Sequence, residues 1–106
     1  MAAKHKVGKK HDSGKLRFDL IPTQAEEALA SVLTFGADKY EDRNWEKGLK
    51  WSRVYGAARR HMNEYWKGND ADPESGMPHL WHALCCLAFL VTYAQTRKDF
   101  DDRPKR

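Results

Sequence analysis

One element limits this chain more than any other: the run from residue 77 to about residue 97, its most apolar segment. The longest apolar stretch in it, residues 83–93, is about a dozen residues, well short of the ~20 needed to span a bilayer. It belongs in a protein core and predicts a central helix, with Pro78 tolerated in the first turn. Its apolar positions occupy more of the helix surface than two neighbours can cover, so a homodimer or homotetramer is expected to complete the core. Size points the same way. A domain of 106 residues buries only about 60–70% of its unfolded surface.

Two further segments carry helical periodicity. Residues 23–40 place Ala25, Ala28, Leu29, Val32, Leu33 and Phe35 on one stripe, with Gln24, Glu27, Ser31, Thr34 and Asp38 on a separate polar line. Thr23 and Glu26 have the spacing of a capping box, and Gly36 interrupts the helix where a close approach would use it. Residues 51–67 place Trp51, Val54, Tyr55, Ala58, Met62 and Tyr65 on an apolar stripe that includes His61. Ser52 is the expected N-cap and Gly68 the stop. Residues 41–49 and 69–76 read as loops. No strand is apparent. The expected fold class is all-α, a bundle of three main helices.

Charge divides the chain unevenly. Residues 1–17 carry six Lys and Arg against Asp12 alone, while the rest holds 13 basic and 14 acidic side chains. The basic excess therefore belongs to an arm, residues 1–14, expected to be flexible. Residues 98–106 read as a frayed charged tail. An arm of this kind can touch nucleic acid nonspecifically, but the near-neutral body argues against a nucleic-acid partner. Cys85 and Cys86 are adjacent and cannot support a disulfide framework. With no apolar leader at the N-terminus, the expectation is a cytoplasmic protein with no membrane partner.

The chain has no Walker loop, CxxC, HExxH or GxSxG. What remains is polar groups at helical spacing. His79 and His82 stand three apart at the start of the third helix, and His61 and Glu64 three apart on the second. Two such pairs on packed helices are how bundles assemble metal sites, and Asp72 and Glu74 lie in the loop entering the third helix. Each histidine taken singly is equally served by a loop carbonyl or by core packing. Imidazole suits Zn, Mn, Fe or Ni, whereas Mg prefers oxygen. A carboxylate-only Mg site would draw on Glu27, Glu74, Asp72 or Asp38. A second constellation is cationic: Lys15, Arg17, Lys39, Arg53, Arg59 and Arg60, interleaved with Trp45, Trp51, Trp66 and Trp81. Arg and Lys bind phosphates, and flat indoles can stack on a base.

Three blocks then read together: DSGKLRFDLIP (residues 12–22), VLTFGADKYEDRNWEKGLKWSR (residues 32–53) and RRHMNEYWKGNDADPESGMPHLWHA (residues 59–83). Over residues 12–95 the chain resembles the phage-encoded dATP/dGTP diphosphohydrolases, described as MazG-like all-α nucleotide pyrophosphohydrolases. The resemblance implies a pyrophosphohydrolase-like domain over residues 15–97, acting in the host-cell cytoplasm if phage-encoded. It also implies metal-dependent hydrolysis of a purine deoxynucleoside triphosphate, dATP or dGTP, to the monophosphate and pyrophosphate. Under it, His61, Asp72, Glu74, His79, His82 and Glu27 are the candidate metal ligands, with His61, Glu74 and His79 catalytic. Lys15, Arg17, Lys39 and Arg53 would meet the phosphates, and Asn44 and Trp45 the sugar or base. The divalent ion would be Mg or Mn, with Zn open because of the histidines. Where MazG-type enzymes carry ExxE and ExxD, this chain has His61-Met62-Asn63-Glu64 and His79-Leu80-Trp81-His82: the spacing is kept and the ligand chemistry is not. The readings without catalysis are a small nucleic-acid-binding module and a structural or assembly protein.

Overall fold

The computed structural model describes residues 7–105; the first six residues of the expected basic arm lie outside the described residues. Three helices form the body: α1 (Thr23–Lys39), α2 (Trp51–Trp66) and α3 (His79–Thr96). Short 3-10 turns lie at Phe18–Leu20, Asn44–Lys47 and Lys98–Phe100. Among the described residues the only extended pairing is an isolated bridge between Ala71 and Pro78, so the all-α class holds. No described helix is long and apolar enough to cross a membrane.

α3 is central, packing on α2 along one side and on α1 along another, while α1 makes little contact with α2. That arrangement narrows the apolar stripe α2 needs. Trp51, Val54 and Ala58 are buried and His61 half-buried, a 3-4-3 spacing that faces one partner helix. Tyr55, Met62 and Tyr65, expected on the same stripe, are instead 52%, 43% and 43% exposed, because no second helix lies beyond them. α3 has the opposite excess. Leu80, Leu87 and Val91 remain 44%, 46% and 69% exposed. With Leu84 and Ala94 they form a 4-3-4-3 stripe, the seam spacing of paired helices.

Helix starts differ from the capping expectations. α1 is capped by Pro22 with no side-chain bond, and Thr23 already lies in the first turn. Pro22 has no N–H, so the reciprocal bond of a capping box cannot form. A Cβ at Gly36 would meet nothing within 4 Å, so this glycine does not serve a close approach. α2 follows Lys50, which offers no side-chain cap. The acceptor comes from far along the chain: Asp102 takes the Ser52 amide at 2.9 Å and the Ser52 hydroxyl at 2.5 Å.

The segment expected to fray is therefore fastened to the body. Trp51 donates its indole N–H to the Arg97 carbonyl at 3.1 Å, and the Arg103 guanidinium lies over the Trp51 ring. Phe100 packs against Gly48, whose φ of +104° suits glycine and where a Cβ would fall 2.5 Å from the phenyl ring. The core cluster here is Trp51, Val54 and Tyr93, flanked by Trp45, Cys86, Phe89, Leu90 and Phe100. Tyr93 is fully buried, and its hydroxyl donates to the Trp45 carbonyl at 2.5 Å, which ties the Asn44–Lys47 turn to α3.

Candidate functional site

α3 begins at His79 rather than residue 77, because Met77 stays in the loop and its carbonyl accepts the Asp72 amide at 2.8 Å. The His79 amide, one of the orphan donors of a helix start, is taken by the Asp70 carbonyl at 2.6 Å. This folds the loop between α2 and α3 back over the start of α3. His79 is buried and His82, one turn later, is half-buried. From α2, His61 follows Ala58 on the face that packs against α3.

The imidazoles converge. His61 Nδ1 lies 2.9 Å from His79 Nδ1, and the His61 ring stacks on His82 with centroids 4.8 Å apart. Asp72 completes a group with His61 and His79 in which one ligand atom from each lies within 4.8 Å of the others. Ser75, which sequence reasoning passed over, organises the loop. Its amide and hydroxyl each donate to Asp72 Oδ2 at 3.0 Å, and its Oγ sits 2.6 Å from His82 Nε2. The available signal was the short DPES run, in which an acidic residue hydrogen-bonds backbone and hydroxyl three residues on.

The local electrostatics keep this group ready to donate lone pairs. Burial, reinforced by the neighbouring His82 and His79, pushes the His61 imidazole below its ordinary range. Burial does the same to His82, although Asp72 and Glu74 pull the other way. Burial raises the Asp72 carboxyl, but the Ser75 amide and hydroxyl, with His82 and His61 beside it, outweigh this and hold it below the usual carboxylate range. Near neutral pH His61 and His82 are thus held neutral beside the Asp72 carboxylate. Two nitrogen donors and one oxygen donor this close fit a divalent metal ion.

Beside the cluster lies a cavity of about 580 Å³, within the usual range for a small-molecule site. The second half of α1 and the 41–49 segment form its walls. His82, Cys85, Cys86 and Phe89 of α3 line it, and Glu74 and Lys39 stand at one side. Trp45 stacks on Phe89 with centroids 4.4 Å apart and planes 12° from parallel. Lys39 donates to Glu74 at 2.6 Å, which joins the end of α1 to the loop before α3. His82 belongs to both places: its ring stacks in the cluster and lines the cavity.

The expected site residues sort into two groups. His61, Asp72, His79 and His82 come together, and Lys39, Asn44, Trp45, Glu74 and His82 line the cavity. Glu27 is exposed on α1 and belongs to neither set. Lys15, Arg17 and Arg53 are exposed and do not line the cavity; Arg17 is bound in a two-pronged contact to Asp19 at 2.8 and 2.7 Å. Besides Lys39, Arg43 lines it as a second cation; it holds Glu46 at 2.9 Å and had no sequence signal beyond the DRNW run. Cys85 is a buried thiol pushed up to about 12 by desolvation, so it serves as apolar wall and not as a nucleophile.

A family model described as dATP/dGTP diphosphohydrolase, N-terminal, matches residues 5–103. A dATP/dGTP diphosphohydrolase of Salmonella phage PMBT28 is 41% identical over 97 residues, which make up 92% of this chain and 33% of the relative. The chain thus spans about a third of that relative's length. No solved structure matches it.

Proposed function

Because the chain belongs to the dATP/dGTP diphosphohydrolase N-terminal family, we propose that its cavity takes a purine deoxynucleoside triphosphate for hydrolysis to monophosphate and pyrophosphate. One observation carries this reading: the cavity and the histidine–carboxylate cluster share His82 and the loop that holds Glu74. A nucleotide seated in the cavity therefore presents its phosphates to the cluster.

The residues divide the work by type. Trp45 and Phe89 form an aromatic wall for the purine, and the half-buried Asn44 offers both donor and acceptor to a base or sugar edge. Lys39 and Arg43 meet the phosphates, Arg as a fork and Lys as a point charge. Lys15, Arg17 and Arg53 have no place in this scheme within one chain. His61, His79 and Asp72 hold the divalent ion. When bound, such an ion polarises phosphoryl oxygens and lowers the pKa of nearby water.

In the reaction the water oxygen forms a bond to phosphorus as the bridging P–O bond to the leaving pyrophosphate breaks. Glu74 is the base that receives the water proton, once an incoming triphosphate draws Lys39 away from it. Lys39 then neutralises charge that develops on the leaving group. The chain's partner of the same kind is a second copy, laid along the Leu80–Leu87–Val91 stripe of α3.

The test is direct. The protein is incubated with each deoxynucleoside triphosphate and Mg or Mn, and monophosphate and pyrophosphate are quantified. Release of both from dATP or dGTP is expected, reduced at least tenfold by Glu74→Gln. No turnover of any nucleotide with either metal refutes the reading.

A further inference from the structure

We propose that His61, His79 and Asp72 form a two-histidine, one-carboxylate site for a six-coordinate first-row transition ion, of the Mn(II) or Co(II) kind, and that Mg is a poor occupant of it. The proposal rests on the hydrolase reading for its purpose, and on the donor atoms for its chemistry.

The donor set decides the class of ion. Mg takes oxygen ligands at about 2.0–2.1 Å and keeps much of its water, so two imidazoles are a poor exchange for its hydration shell. Imidazole nitrogen suits the later first-row ions, and two histidines with one carboxylate leave open positions on the metal.

The spacing bears on the coordination number. At a metal–nitrogen length of about 2.1 Å, two ligand atoms at a right angle lie about 3.0 Å apart, and two at the tetrahedral angle about 3.4 Å. His61 and His79 present their Nδ1 atoms 2.9 Å apart, an N–H···N hydrogen-bond distance that is nearer the octahedral separation than the tetrahedral one. In the metal-free chain one of these nitrogens donates its hydrogen to the other. Loading moves that hydrogen to Nε2 by exchange with solvent, and both Nδ1 lone pairs then face the ion. The Asp72 carboxylate, within 4.8 Å of both, closes the remaining distance by rotating its side chain.

His82 is a positioning residue in this arrangement, not a ligand. The Ser75 hydroxyl donates to Asp72, so its oxygen is free to accept the His82 Nε2–H at 2.6 Å. That hydrogen occupies the nitrogen that would otherwise bind metal, and the relay fixes the carboxylate. Three protein ligands on one side of a six-coordinate ion leave three positions for phosphate oxygens and water.

The experiment is a Co(II) titration of the full chain without nucleotide, read by visible absorption and by calorimetry, with Mg as competitor. Expected is a single saturable site with the weak d–d band of six-coordinate Co(II), undisturbed by a large molar excess of Mg. Asp72→Asn and His61→Ala, checked for helical content by circular dichroism, should each weaken it by at least about tenfold. Absence of a saturable site in the wild-type chain, an intense four-coordinate band, ready displacement by Mg, or full affinity in both folded variants each overturns the proposal. Nucleotide hydrolysis with Mg and no Co(II) site would leave the hydrolase reading standing alone. A six-coordinate Co(II) site with no turnover of any nucleotide would do the reverse.

Discussion

Tyr93→Phe is the sharpest perturbation the fold offers, because it deletes one oxygen and leaves the ring in place. Tyr93 is fully buried, so the change makes no large cavity and alters no charge. Its hydroxyl donates to the Trp45 carbonyl at 2.5 Å. The Trp45 carbonyl is not orphaned by the change, since the Gly48 amide still donates to it at 3.1 Å. One net hydrogen bond is worth about 0.5–1.5 kcal/mol, which places the loss at about 1 kcal/mol. For a domain of this size each kcal/mol moves Tm by about 4–8 °C.

Urea denaturation followed by tryptophan fluorescence measures the effect. A lower midpoint with an unchanged slope is the expected result, since the change alters stability and not the area exposed. The same variant should raise KM for nucleotide, because the Asn44–Lys47 turn carries the cavity wall, and should leave Co(II) affinity unaltered. A stability loss below about 0.3 kcal/mol would refute the reasoning, as would a Co(II) site weakened as much as nucleotide binding.

Other outcomes follow from individual contacts. Gly48→Ala should destabilise by about 1–3 kcal/mol in the same denaturation assay, as its positive φ and the Phe100 ring both oppose a Cβ; stability equal to wild type would contradict the packing described. Asp102→Ala should lower Tm and speed hydrogen exchange at the Ser52 amide, its direct partner, with protection at the start of α3 unchanged. In the metal-free protein, His61 and His82 bind protons less readily than in the unfolded chain. Unfolding therefore takes up protons below about pH 6.5, and stability should fall as pH drops through that value; a midpoint flat from pH 7.5 to 5.5 contradicts this. Val91→Glu, on a residue 69% exposed in one chain, should reduce the mass seen by sedimentation to that of a monomer, and an unchanged mass shows that the stripe is not the contact.

The helices were legible in the sequence because apolar residues recur at three and four positions, and that periodicity is local. Their ends were not legible. Asp102 caps α2 from 50 residues away, and Trp51 reaches the Arg97 carbonyl across 46, so the bonds that fix the segment after α3 depend on tertiary proximity. The charged run from residue 98 reads as solvent-facing in isolation and is held because Phe100 finds Gly48. The convergence of His61 with His79 could be argued from two helical pairs and a connecting loop. Ser75 could not, since its role exists only once the loop folds back. Lys15 and Arg17 show the limit most plainly: residue type says that a side chain can bind phosphate, but its direction is set elsewhere, and here Arg17 turns to Asp19.

The cavity itself follows from a pattern that reads as ordinary core. His82, Cys85, Cys86 and Phe89 are spaced i, i+3, i+4 and i+7, one face of a helix, and all four line the cavity. Two turns at about 1.5 Å per residue put His82 and Phe89 about 10 Å apart along α3, with the imidazole stacked on His61 and the phenyl ring on Trp45. The adjacent cysteines thus have a positional meaning that their redox chemistry does not suggest. They are the small, apolar middle of a floor whose ends are an imidazole and an aromatic ring. Because both ends ride on one rigid helix, the separation between the proposed base and phosphate subsites is set by α3 and not by the loops around it.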